Sequence, residues 1–234
     1  MPVQLPLNVH LSKPTHSFAN YVPGRNSTVY HALQQVIARH GESNSIYIMG
    51  PVGSGKTHLL QAACEQITRQ KATPVYLPLK SLREFSPNAL MDGLETLDLV
   101  CLDDIQSIAG LLEWEQALFR VFNQLHELNI PLIISGSTTP NALGLELQDL
   151  TSRLSWGGVF ALEPADEETS LQVLQQHAAG MGLELSDTVA RYLLKKRATD
   201  LKTLLAWLEQ LDYASLAAKR RLTMPFVRNV LEGN

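Results

Sequence analysis

Cysteine is scarce in this chain: Cys64 and Cys101 are the only two among 234 residues, and each lies inside an apolar segment. That usage excludes a fold built on disulfides and points to buried, reduced thiols in a cytosolic protein. The seven histidines pair neither with one another nor with the cysteines at ligand spacing, which excludes a metal centre made of those residues. No apolar run approaches the roughly 20 residues that would span a bilayer. The opening Met1-Pro2-Val3-Gln4-Leu5-Pro6 lacks a basic stretch followed by an apolar one. No secretory leader is therefore expected, and the cytoplasm is the expected compartment. Positive charge is also in short supply. A net charge of −4 argues against a domain that grips nucleic acid unaided.

Hydrophobic residues make up 45% and charged residues 18%, which is the balance of a folded globular protein and not of a disordered or fibrous one. The length suits one large domain or a core with a small appendage. The charge is unevenly placed. Residues 191–228 hold nine Lys and Arg against three acidic residues, a surplus of six that leaves the remainder near −10. This stretch is either a solvated helical surface or a face for an acidic or phosphate-bearing partner.

Residues 1–15 contain three prolines and no helical period, so they read as an extended tail. Short apolar runs at 46–49, 75–79, 97–102, 130–135 and 159–162 predict five strands. Helical patterns lie between them. Leu59, Leu60, Ala63, Cys64 and Ile67 fall on one helix face, and a second helix is expected over 113–128. Strand–helix alternation implies a mainly parallel sheet covered on both faces. After Pro164 the pattern becomes helical only. Asp166, Glu167 and Glu168 supply negative charge where a helix N-terminus favours it, Ser186-Asp187 caps a helix to about residue 197, another spans about 200–219, and Pro225 opens a last one. The expected division is a tail at 1–15, an α/β core at 16–163 and a small helical domain at 164–234.

Gly50-Pro51-Val52-Gly53-Ser54-Gly55-Lys56-Thr57 matches the phosphate-binding pattern G-x-x-x-x-G-K-[ST], after a predicted strand and before a predicted helix. Gly53 and Gly55 let backbone N–H groups turn inward on phosphate oxygens. Lys56 adds charge near the outer phosphates, Thr57 offers a hydroxyl to Mg²⁺, and the helix start adds its partial positive charge. Asp103 and Asp104 end a dense apolar strand, at the edge of the sheet where such folds bind ligands. Asp103 is assigned to Mg²⁺ and Asp104 to an attacking water. His58 is read as lining the nucleotide. Trp114, Trp156 and Trp207 are read as packing residues.

Longer segments carry a resemblance. Leu102-Asp103-Asp104-Ile105-Gln106 with Ala109-Gly110, Leu118-Phe119-Arg120-Val121-Phe122-Asn123, Leu150-Thr151-Ser152-Arg153-Leu154-Ser155-Trp156-Gly157, and Phe18-Ala19-Asn20-Tyr21-Val22-Pro23-Gly24-Arg25-Asn26 resemble, in order, boxes of the bacterial initiator DnaA. The resemblance spans about residues 16–220 and implies an AAA+ P-loop core with a helical lid. It also implies an entry segment, with Tyr21, Val22 and Pro23 over the adenine, and an arginine finger at Arg153. The stretch 80–97 is shorter than the initiator's single-strand-binding insertion, and the chain runs to Asn234 without a duplex-binding helix-turn-helix. Read so, it resembles the Hda family, regulators that inactivate the initiator after replication begins. That family carries an N-terminal sliding-clamp motif, and Gln4-Leu5-Pro6-Leu7 matches its first four positions before Asn8-Val9 departs. An extended peptide of this kind offers a rim hydrogen bond from Gln4 and apolar anchors from Leu5 and Leu7.

Three departures bear on hydrolysis. Ser137 stands at the sensor 1 position where initiators have Asp. Lys202 stands where the lid normally has the sensor 2 Arg and lacks its bidentate fork, or it is a plain helix-surface lysine. Asp104 is one methylene shorter than the Glu common in AAA+ proteins. Together they imply ADP or ATP binding with Mg²⁺ and weak intrinsic hydrolysis at most. The implied function is inhibition of replication initiation: attachment to the DNA polymerase III beta sliding clamp, contact with DNA mainly through it, and stimulation of hydrolysis on DnaA by Arg153. Assembly with itself is left open, and no membrane partner is expected. The alternative is a helicase-loader-type ATPase acting by its own ATP cycle, and a third class, a small-molecule P-loop kinase, leaves the lid and the Arg153 box unexplained.

Overall fold

Five short apolar runs form the strands, in a computed structural model that describes residues 16–39, 43–196, 201–218 and 221–232. They are β1 (Ser45–Met49), β2 (Pro74–Pro78), β3 (Leu99–Asp103), β4 (Leu132–Gly136) and β5 (Val159–Ala161). All neighbours pair in parallel, in the order β2-β3-β4-β1-β5. Parallel neighbours need crossovers, and helices supply them. After α1 (Ser27–Ile37), the crossovers are α2 (Lys56–Arg69), the short α3 (Leu79–Leu82) and α4 (Pro87–Met91), then α5 (Leu112–Glu127) and α6 (Gln148–Leu154).

Alternation along each strand sorts the core into two layers. Ile46 and Ile48 of β1 pack with Leu33 of α1 and with Leu59, Leu60, Ala63 and Ile67 of α2. Tyr47 faces the other way, into a layer with Leu118, Phe122 and Leu125 of α5. Leu33, Leu59 and Leu60 are wholly buried, each stabilising the fold by roughly 1.5–3 kcal/mol relative to exposure. The sheet is thus covered on both faces, and the five-stranded parallel architecture expected from the sequence is the one found.

Two strands start two residues later than their apolar runs. β3 begins at Leu99 because Leu94–Thr96 form a 3-10 turn and the Asp98 carboxylate accepts the Thr73 N–H at 2.9 Å. β4 begins at Leu132 because Ile130 still belongs to the end of α5, its N–H donating to the Leu125 carbonyl at 2.8 Å.

Beyond the sheet the chain is helical only: α7 (Glu167–Gly180), α8 (Asp187–Lys196), α9 (Leu201–Ala218) and α10 (Met224–Glu232). Asp166 caps α7 by accepting the Thr169 N–H at 2.9 Å. Leu174, Leu193, Leu204, Leu208 and Val227 form this lid's own core. The entry segment ties it to the sheet. Asn26 Nδ2 donates to the Glu163 carbonyl and its Oδ1 accepts the Glu163 N–H, both at 2.9 Å. Arg25 reaches Asp166 at 3.1 Å, and Gln176 of α7 donates to the Ala19 carbonyl at 2.8 Å. Among the described residues no helix is long and apolar enough to cross a membrane.

Candidate nucleotide-binding site

The loop 50–55 leaves the C-terminal end of β1 and feeds directly into α2. Its turn depends on Gly55, which caps α2 at φ 99°, and on Gly53 at φ 82°. A side chain would strain either position. Val52 projects from the loop at 98% exposure. The Ser54 hydroxyl is buried with no hydrogen-bond partner, an arrangement that a phosphate oxygen would complete.

Lys56 opens α2 and is only 8% exposed. Its ammonium donates to the Gly50 carbonyl at 2.6 Å and the Pro51 carbonyl at 2.9 Å. Burial lowers its pKa, while Asp104 and Asp103 act in the opposite direction. Asp103, at the end of β3, is 3% exposed and surrounded by hydroxyl donors. Its Oδ2 accepts from Thr57 Oγ1 and from the Tyr76 hydroxyl, each at 2.7 Å, and its Oδ1 accepts from the Ser135 hydroxyl. Burial raises the Tyr76 pKa, and the hydrogen bond to Asp103 adds to it, so this phenol stays a donor.

Asp104 departs from the strand in the left-handed region, φ 62° and ψ 51°. That turn carries its carboxylate to Gln106, whose Nε2 donates to Oδ1 at 2.9 Å, while Gln106 Oε1 accepts the Ser137 N–H at 3.1 Å. The Asp104 N–H donates to Ser135 Oγ at 3.0 Å. Gln106 thereby spans the ends of β3 and β4 and fixes Asp104 relative to Ser137.

The entry segment closes over the first turn of α2. His58 Nε2 donates to the Ser17 carbonyl at 3.1 Å, which fixes the tautomer because a carbonyl only accepts. The His16 ring meets His58 edge-on at 4.9 Å, and Tyr21 lies 5.5 Å from His58. Tyr21 and Tyr30 lie parallel with centroids 6.1 Å apart. Burial lowers the pKa of both histidines and pushes that of Tyr21 up to about 12. Val22 and Pro23 follow Tyr21, half-buried.

The structure therefore gathers Gly50 to His58, Asp103, Asp104 and Ser137 at the sheet's C-terminal edge, with Tyr21 beside them through His58. Lys202 stands exposed in the first turn of α9, and among the described residues no hydrogen bond or ion pair joins it to the phosphate loop. Gln4, Leu5, Pro6 and Leu7 lie outside the described residues. Arg153 of α6 is half-buried, its guanidinium 3.7 Å from the Trp156 ring centroid and 5.9 Å from that of Phe119. Trp114 is a core residue, but Trp156 is 55% exposed: its indole faces a cation and not the interior. Sequence reasoning missed Tyr76 and Ser135 as partners of Asp103. The available signal was a polar group in each strand flanking β3.

The family model of the bacterial DnaA ATPase domain matches residues 12–161, and that of the Hda lid domain matches residues 166–231. The chain belongs to the Hda/DnaA-like AAA+ family. Domain III of the Thermotoga maritima replication initiation protein DnaA is similar over 94% of this chain and 97% of that one, at 25% identity and a TM-score of 0.81. A replication initiator DnaA bound to AMPPCP and single-stranded DNA is 25% identical, with a TM-score of 0.69 over 88% of this chain and 68% of that one. The Thermotoga maritima RuvB Holliday junction branch migration motor shares the fold, at 17% identity and a TM-score of 0.71 over 94% of this chain and 72% of that one. A DnaA-like ATPase core joined to an Hda lid makes this member of the family a DnaA-related replication regulator.

Proposed function

We propose that the protein binds an adenine nucleotide, ADP in particular, attaches to the sliding clamp through Gln4, Leu5, Pro6 and Leu7, and presents Arg153 to ATP held by DnaA. Hydrolysis then occurs on DnaA, which leaves the initiator in its inactive ADP form. The family's AMPPCP-bound relative and the unpartnered Ser54 hydroxyl support nucleotide in the loop.

Thr57 and Asp103, a hydroxyl and a carboxylate already joined at 2.7 Å, are the residues that would hold Mg²⁺. When bound, the ion neutralises phosphate charge. Lys56 exchanges its two carbonyl partners for phosphate oxygens, and Tyr21 with His58 borders the base. Asp104 is the group placed for a water, but its carboxylate is tied to Gln106, and Ser137 beside it is a weak handle. The site thus favours holding nucleotide over turning it over.

The observation that carries the reading is the division of labour between two cations. Lys56 serves the chain's own phosphate loop, whereas Arg153 engages no described residue by hydrogen bond or ion pair and lies in a box resembling the DnaA finger. A finger stabilises charge on a transferring phosphoryl group and contributes roughly 10³–10⁵ in turnover. The decisive assay mixes clamp-loaded DNA, DnaA carrying labelled ATP, and either wild type or Arg153→Ala. The variant is expected to bind ADP and clamp normally and to lose about 10³-fold in stimulation. Stimulation within a factor of two of wild type overturns the finger. Rapid multiple turnover of ATP by the isolated protein would instead favour the helicase-loader reading.

A further inference from the structure

We infer that Trp156 is a positioning residue: a fixed indole platform that holds the Arg153 guanidinium by its face and leaves its N–H edge available to a phosphate on another molecule. The inference rests on the reading of Arg153 as a group that acts in trans.

The guanidinium carbon lies 3.7 Å from the Trp156 ring centroid, with Phe119 at 5.9 Å on the same cation. A guanidinium carries its five N–H donors in its plane. Stacking on a ring therefore steadies the charge without occupying a donor, as a carboxylate partner would. Among the described residues no such carboxylate is paired with Arg153. An indole that served only packing would be covered, yet Trp156 is 55% exposed.

The platform is itself anchored from two sides. On the backbone side, the Trp156 N–H donates to the Arg153 carbonyl at 3.0 Å, which closes α6. The next residue, Gly157, lies so close to Ser45 at the start of β1 that any side chain there would run into the Ser45 carbonyl. On the ring side, His126 of α5 meets the indole edge-on, with centroids 5.5 Å apart and planes at 70°. His126 Nδ1 lies 3.0 Å from Asn44 Oδ1, and Asn44 Nδ2 donates to the Leu125 and Ile130 carbonyls at 3.0 and 3.1 Å. A buried amide thus fixes an imidazole, the imidazole braces an indole, and the indole holds a guanidinium at the surface. An arginine held in this way need not search its rotamers when a phosphate arrives, and positioning of this kind acts on the transition state.

The test uses full-length protein in the clamp-dependent DnaA hydrolysis assay with Trp156→Ala, Trp156→Phe, Arg153→Ala and the double variant Arg153→Ala/Trp156→Ala. Trp156→Ala is expected to lose about tenfold in stimulation, equivalent to about 1.4 kcal/mol. Trp156→Phe should restore most of it, because a ring face remains. The double variant should be no worse than Arg153→Ala alone, since Trp156 acts only through Arg153. Full stimulation by Trp156→Ala, or a multiplicative loss in the double variant, overturns the inference. Acrylamide quenching of tryptophan emission separates it from the finger reading. Removal of Arg153 should uncover the indole and increase quenching whether or not Arg153 acts on DnaA. Equal quenching in wild type and Arg153→Ala overturns the platform, whereas increased quenching with undiminished stimulation overturns the finger.

Discussion

Lys56 and Arg153 are both cations on helices of one α/β core, and they are held in opposite ways. Lys56 is buried and donates to two carbonyls of its own loop. Arg153 lies against rings and gives its donors to no described residue. A ligand at the first site must displace internal partners, so the loop is organised before nucleotide arrives and gains only the difference between old and new hydrogen bonds. A ligand at the second site displaces little besides water. The contrast separates a cation tied into its own loop from one whose donors engage no described residue, as the proposed action on another molecule requires.

The largest effect is expected where the charge at position 153 is kept and the fork removed. Arg153→Lys should fall most of the way toward the roughly 10³-fold loss expected without a finger, since an ammonium neither stacks nor bonds bidentately in the same way. Labelled-ATP hydrolysis by DnaA measures it. Next in size, Lys56→Ala should weaken ADP by about a hundredfold in calorimetry, at the upper end for hydrogen bonds to a charged group. Affinity within threefold of wild type would mean that the loop holds nucleotide mainly by its backbone.

Two smaller effects test how the retaining site is braced. Tyr76→Phe removes one of three hydroxyl donors to Asp103 and should cost about 1 kcal/mol, a fall in Tm of roughly 2–4 °C. An unchanged Tm would show that Thr57 and Ser135 suffice. The smallest effect concerns pH. Burial holds His58 below its ordinary value of 6.5, so on acidification the unfolded chain takes up a proton before the folded one does. Stability from this site is complete above the unfolded value and declines as pH falls through it. His58→Gln should therefore show a smaller drop in Tm between about pH 7.5 and about pH 5.5 than wild type. Equal drops would place the effect elsewhere, with His16 the first group to examine.

The parts of this molecule that were legible in its sequence are those encoded contiguously. The phosphate loop and the carboxylates at the end of β3 each lie within one short stretch where spacing dictates geometry, and each lid helix shows as a local pattern. Tyr76 and Ser135 were not legible as ligands of Asp103, because their approach depends on register: Tyr76 pairs with Cys101, and the β3–β4 register places Ser135 beside Asp103. The exposed stack of Trp156 on Arg153 was missed for a related reason. Tryptophan is read as a packing residue by default, and only the turn that follows α6, which brings the Trp156 ring to Arg153, shows that its face is given to a cation. Lys202 is named only by resemblance to a lid motif, and among the described residues no hydrogen bond or ion pair joins it to the loop.

The paired hydrogen bonds between Asn26 and Glu163 have a mechanical consequence. They clasp the backbone just beyond β5 as an extra strand would, so Glu163 is fastened to the core. The lid's own order resumes at Asp166, which caps α7. Only Pro164 and Ala165 lie between these fixed points, and the proline ring locks one of their torsions. Any swing of the lid about this joint turns on a pivot two residues long, and Arg25 spans it to Asp166 at 3.1 Å as a check-strap.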